Sequence, residues 1–151
     1  MYHYVARTRT GLLAGGTQHA VALWARLRPL SLGCEALCLM PNHIHLLTKR
    51  EIRLELAQVL AGHVRSLNRS GGRVRLESVP RVTPCTDLKK IRRQARYIHL
   101  NPCRARIVQD PLAWTWSSYR DCLGLSAHAI RDGVNDAERL HSYVSSDPSV
   151  G

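Results

Sequence analysis

His43 and His45 flank Ile44 in the run Met40-Pro41-Asn42-His43-Ile44-His45-Leu46-Leu47. On a strand, residues two apart share a face about 6 to 7 Å apart along the backbone. Both imidazoles would then project together while Ile44 turns to the core. Such a pair can grip one divalent metal and leave positions for a third ligand, water and a substrate oxygen. By itself, His-x-His is a weak signal that two ordinary half-buried histidines explain more simply. Further along, Lys89, Arg93, Tyr97 and Asn101 follow at i, i+4 spacing, which aligns them on one edge of a helix. A phenol among cations is a candidate nucleophile, and an amide oxygen one turn later could complete a metal's ligand set. The simpler reading of that helix alone is a solvated basic face with one interfacial tyrosine. Together the two patterns favour a catalytic site.

These residues need a sheet and a helix to bring them together, and the rest of the chain supplies candidates. Residues 2–10 are rich in aromatic and β-branched types and stop at Gly11, which predicts a strand. Residues 18–27 have no breaker and read as a helix with Thr17 as N-cap. Two apolar segments, 35–40 and 43–48, are separated by Pro41 and Asn42, which suits a hairpin turn or a kink in one long strand. Helical spacing returns over 51–68, through Leu54, Leu56, Val59, Leu60, Val64 and Leu67, and ends before Gly71 and Gly72. The Gly- and Arg-rich stretch 68–84 reads as a basic loop with a short strand at 73–77. A last helix over 86–100 has Thr86 as N-cap, Asp87 in the first turn, and Leu88, Ile91, Ala95 and Ile98 as its apolar stripe. The alternation predicts an α+β two-layer sandwich, an antiparallel sheet with helices on one face.

Composition narrows the partner. The 151 residues suit one domain, and 22 Lys plus Arg against 11 Asp plus Glu leave a net charge of +11. That excess attracts polyanions and makes nucleic acid the leading partner class. Of the basic residues three are lysines (Lys49, Lys89, Lys90), and arginine is the side chain that pairs bidentately with phosphate. Residues 49–96 carry 13 basic against 4 acidic residues. Residues 121–151 hold five acids and two arginines, so this acidic, part-helical extension, beginning near 125, is not the polyanion binder. No apolar run approaches the roughly 20 residues that span a bilayer, and the amino terminus lacks the apolar core of a secretory signal. The expectation is a cytoplasmic, nucleoid-associated protein without a membrane partner. Five cysteines without a C-x-x-C pair fit neither a disulfide framework nor a zinc knuckle. His3, His19, His63, His99, His128 and His141 lack paired spacing and read as surface or structural. His99 lies about 200° around the helix from Tyr97 and points away, and Tyr119, the rival nucleophile, has no ladder of cations or amides around it.

Two blocks resemble the HUH single-tyrosine transposases, in particular the REP-associated tyrosine transposase branch and its insertion-sequence relatives. The first is Leu39-Met40-Pro41-Asn42-His43-Ile44-His45-Leu46-Leu47. The second is Arg96-Tyr97-Ile98-His99-Leu100-Asn101-Pro102-Cys103-Arg104-Ala105, followed by Trp116-Ser117-Ser118-Tyr119-Arg120 and Gly124. Together they cover residues 35–124 and define a catalytic domain over 1–124. The resemblance implies a ferredoxin-like fold, His43 and His45 as metal ligands, Asn101 as the third, and Mg2+ or Mn2+ as the metal. It implies Tyr97 as a nucleophile that nicks single-stranded or hairpin DNA and transfers the strand through a 5′-phosphotyrosine link. Lys89, Arg93, Arg96 and Arg104 would hold the phosphate chain, and bases could stack on Trp116. Insertion-sequence relatives act as dimers with sites shared between subunits, whereas REP-associated ones can be monomeric, so a homodimer stays open. This chain departs from the family in three places. Cys103 and Arg106 stand where a valine and a glycine are usual, and no aromatic residue lies between 68 and 86. Two other functions remain at this point: a DNA-hairpin-binding protein on the same scaffold without turnover, and a metal-responsive regulator using His43 and His45.

Overall fold

Side-chain alternation along three strands separates the core from the polar residues singled out above. The computed structural model describes residues 1–126, 129–130, 133 and 135–146. The first strand, β1 (Tyr2–Thr10), has the bounds the sequence predicts. It is followed by α1 (Thr17–Ser31), β2 (Ala36–Leu39), β3 (His43–Thr48), α2 (Arg53–Arg69), β4 (Arg75–Leu76), β5 (Arg81–Pro84) and α3 (Leu88–Arg104). A short 3-10 turn (Pro111–Ala113), α4 (Tyr119–Cys122) and α5 (Ala137–Ser145) complete the described elements.

The strands lie antiparallel in the order β2-β3-β1-β4, with β5 also pairing with β1. With the element order β-α-β-β-α-β, this is the ferredoxin-like arrangement. Pro41 and Asn42 form a true hairpin turn, closed by the Met40 N–H donating to the His43 carbonyl at 2.8 Å. On β3, Ile44 and Leu46 face α1 and α2, packing with Tyr4 and Ala6 of β1 against Leu23, Leu27, Leu56 and Leu60. These are the two layers of the sandwich. Tyr4 also anchors α2: its hydroxyl accepts from the Ile52 N–H at 3.0 Å and donates to the Arg50 carbonyl at 3.2 Å.

The third helix lies on the other face, a division the one-sided expectation did not make. Ile91, Ala95 and Ile98 pack there against Ala36, Cys38 and Leu47. All six residues of β3 are buried, as happens when both faces of a strand are covered. His43 and His45 therefore look toward α3 rather than into solvent.

Several boundaries move for local reasons. Gly16, not Thr17, is the N-cap of α1, which runs on past Leu27 through Pro29 to Ser31. Asp87, not Thr86, caps α3, its carboxylate accepting from the Lys89 N–H at 3.0 Å. Leu88 begins that helix 72% exposed and so falls outside its apolar stripe. The 68–84 stretch contains β5 as well as the expected short strand, and β5 (RVTP) is exposed and ends in a proline, as suits a sheet edge. Trp116, Ser117 and Ser118 run beside β2, with the Ser118 N–H donating to the Leu37 carbonyl at 2.9 Å and the Leu39 N–H to that of Trp116 at 2.8 Å. His128, Arg131, Asp132 and Asp147 lie outside the described residues.

The α3 terminus gives a first prediction. The Ile107 N–H bonds the Pro102 carbonyl and the Arg106 N–H that of Cys103, the two bonds of a Schellman motif. Its C′ residue, Arg106, has φ +57°, the one positive φ outside glycine among the described residues. A side chain there strains the left-handed conformation. Arg106→Gly is expected to stabilise the fold by about 1 kcal/mol. Urea unfolding would read a higher midpoint at unchanged slope; a lower midpoint would refute the strain.

Candidate active site

Register brings the first group of residues together. Opposite His43 and His45 on β3 stand Arg7 and Val5 of β1, on the same face of the sheet. The rings of His43 and His45 sit 5.0 Å apart at 89°. From α3, Tyr97 meets His45 edge-on, with ring centres 5.6 Å apart at 90°. His43 and His45 are 8% and 5% exposed, while Tyr97 is 39% exposed, so the imidazoles form a floor and the phenol a rim. One helical turn past Tyr97, Asn101 is buried, and its side chain acts on His43 by opposing the fall of its pKa. A single chain thus assembles both imidazoles, the phenol and the amide.

Each imidazole is held from behind. His43 Nδ1 lies 2.7 Å from Asn42 Oδ1, an acceptor, so Nδ1 carries the proton and Nε2 keeps its lone pair. His45 Nδ1 lies 3.0 Å from Nε2 of His3, whose ring stacks on it at 5.2 Å and 16°. Burial lowers the His45 pKa to about 3, helped by repulsion from His43, His3 and Arg7. Burial lowers that of His3 to about 4. It also lowers that of His43, with Arg7 adding to the shift and Asn101 opposing it. All three are neutral at pH 7.

This neutrality makes a pH prediction. A histidine whose folded pKa lies below the unfolded value of 6.5 takes up its proton more readily when unfolded. Stability is therefore complete above pH 6.5 and lost as pH falls toward 4, by up to roughly 1.4 kcal/mol per pH unit for each histidine. Urea midpoints across this window are expected to fall less steeply in His3→Gln/His45→Gln. His63, pushed down mainly by its burial, keeps part of the slope. A double variant as steep as the wild type would contradict the assignment.

Among the described residues, no group of three or more His, Cys, Asp or Glu side chains could hold a metal ion. The converging groups are instead two neutral imidazoles and a carboxamide. Two backed imidazoles, that of His43 with Nε2 available, and one carboxamide fit a divalent cation that completes its shell with water or phosphate oxygen.

The remaining expected residues divide. Lys89 and Arg93 are exposed on α3, and the Arg104 guanidinium lies 5.1 Å over the Tyr97 ring. Arg96 turns away: it donates to the Tyr143 carbonyl at 2.8 Å and to Ser146, and lies 5.3 Å over the Tyr143 ring. Trp116 joins the core on the α1 and α2 side, edge-on to Trp24 at 6.0 Å, so it stands apart from the histidine cluster. Tyr119 is fully buried, its hydroxyl 2.8 Å from His141 Nδ1, and burial pushes its pKa up to about 12. His99 is buried beside it, 5.1 Å away, on the far side of the helix from Tyr97 as expected. Sequence reasoning missed His3 and Arg7. Alternation in β1 puts both on one face, yet their nearness to the histidine pair depends on the β1–β3 register.

The fold and site define a class: a ferredoxin-like α+β domain with a third helix bringing a tyrosine to a histidine pair on the sheet. A solved structure of this shape is a REP-associated tyrosine transposase bound to a REP hairpin, with TM-score 0.62 and 16% identity. The match covers 90% of this chain and 86% of that one. At that identity the likeness is one of fold. No protein-family model and no curated protein matches the chain.

Proposed function

We propose that this protein nicks single-stranded or hairpin DNA and transfers the cut strand, with Tyr97 as nucleophile. The observation that carries the reading is the meeting of Tyr97 with His45 and His43 beside Asn101 in one chain. The likeness to a hairpin-bound tyrosine transposase supports the DNA partner. The oxygen of Tyr97, a residue at the rim of the site, attacks a backbone phosphorus, its proton passing to solvent. The phosphorus–oxygen bond to the neighbouring 3′ oxygen breaks, and that oxygen takes up a proton. The products are a 5′-phosphotyrosine and a free 3′-OH. Another 3′-OH can reverse the step, so rejoining needs no ATP. His43, His45 and Asn101 would hold Mg2+ or Mn2+. What the cation supplies when bound is Lewis-acid polarisation of the scissile phosphate. Arg7 and Arg104 flank the cluster and are suited to hold phosphate oxygens, while Lys89 and Arg93 extend the cationic edge along α3.

A set of labelled hairpins incubated with Mn2+ tests the reading on a denaturing gel, where a covalent protein–DNA band is expected. Binding with no adduct across the set favours the non-catalytic hairpin binder. The cationic edge has its own prediction. Arg93→Ala is expected to weaken hairpin binding and reduce the slope of log K against log salt by about 1. Arg96→Ala is expected to leave that slope unchanged, because α5 already engages the guanidinium. Equal slope changes for both variants would contradict this division.

Among the described residues, no helix is long and apolar enough to cross a membrane. The four groups converge without a second copy, so this reading requires no shared site in a dimer.

A further inference from the structure

His3 has no part in the reaction as written, yet it touches the site. It stands on β1 opposite Leu47, diagonal to His45 on the same face, and is 8% exposed. Its Nε2 lies 3.0 Å from His45 Nδ1, with the two rings stacked. Between two neutral imidazoles one nitrogen must donate and the other accept. The direction decides what His45 can do. If His3 donates, His45 carries its proton on Nε2, and that nitrogen has no lone pair to give. If His3 accepts, His45 is protonated on Nδ1 and Nε2 is free. His43 has the second pattern imposed by Asn42 Oδ1, which accepts from its Nδ1.

We infer that His3 is a positioning residue: it accepts from His45 Nδ1–H, fixing the His45 tautomer and ring plane so that Nε2 stands ready for a divalent cation. This rests on the metal reading above. The two ligands are then backed in the same way, one by an amide oxygen and one by an imidazole nitrogen. Partners of this kind govern ligand orientation and metal affinity without touching the metal. Burial of His3 and stacking on His45 keep the acceptor in place.

Two measurements test it. The first takes 15N shifts of the imidazoles in metal-free wild type at neutral pH. His45 is expected to be protonated on Nδ1 and His3 unprotonated on Nε2; His45 protonated on Nε2 overturns the inference. The second titrates Mn2+ by electron paramagnetic resonance into wild type, His3→Leu and His3→Gln. Loss of the acceptor in His3→Leu is expected to weaken Mn2+ affinity ~10–100-fold, with metal-free hairpin binding unchanged. His3→Gln, whose Oε1 can accept from Nδ1, is expected to recover most of that loss. Wild-type affinity in His3→Leu, or no recovery in His3→Gln, overturns the positioning role while leaving the metal site standing. Wild type that takes up no saturating Mn2+ overturns the metal reading and the inference with it.

Discussion

Tyr97→Phe is expected to bind hairpin DNA as tightly as the wild type and to cut it on the order of 10³-fold or more slowly, with no covalent adduct. The substitution removes one oxygen, the atom that would form the bond to phosphorus. The ring remains free to keep its edge-on contact with His45 and its place beneath Arg104. With a rim residue already 39% exposed, the fold should lose little stability. The rival Tyr119 is not poised to substitute: it is fully buried, its hydroxyl is engaged by His141, and burial holds it protonated. A denaturing gel with labelled hairpins reads the adduct, and filter binding reads the affinity. Residual adduct in the variant above a few per cent of wild type would remove Tyr97 from its role.

His45→Ala is expected to have the next largest effect, lowering both Mn2+ affinity and cleavage on the order of 10²-fold or more. His45 is the hub of the site, in contact with His43, His3 and Tyr97 at once. Its loss removes a donor and leaves a cavity on β3, so part of any effect would be structural. His45→Leu separates the two, since it fills more of the space and offers a cation no donor atom. Both variants are expected to fail in Mn2+ titration while retaining metal-independent hairpin binding. Protein freed of metal by chelation is the right starting material, because imidazoles also accept zinc and nickel. Wild-type Mn2+ affinity in His45→Leu would exclude His45 as a ligand.

What the sequence made legible followed from periodicity and short-range chemistry. β1 matches its predicted bounds because its aromatic and β-branched run ends at Gly11, and the Pro41-Asn42 pair marks the hairpin. Tyr97 and Asn101 could be paired from helical spacing, and His43 with His45 from strand alternation. What escaped depended on contacts between distant segments. His3 and Arg7 join the cluster only through the β1–β3 register, which no local pattern encodes. Arg96 and Trp116 have chemistry suited to nucleic acid, but α5 engages the first and Trp24 packs against the second. The side of the sheet taken by α3 was likewise hidden, because the polar face that His43 and His45 give β3 carries no local mark of the helix that covers it, although all six residues of the strand are buried. Arg106 was legible as a departure from a glycine-bearing pattern, and its positive φ gives the physical reason a glycine belongs there.

The most direct measurement is the attachment site itself. Wild-type protein incubated with Mn2+ and hairpin DNA would be digested with nuclease and trypsin, and the tryptic peptide ending at Arg104 read by fragmentation mass spectrometry. A 5′-linked nucleotide on Tyr97 is the expected result. DNA cut with Tyr97 unmodified, or a nucleotide carried by Tyr119 or any other residue, would contradict the account.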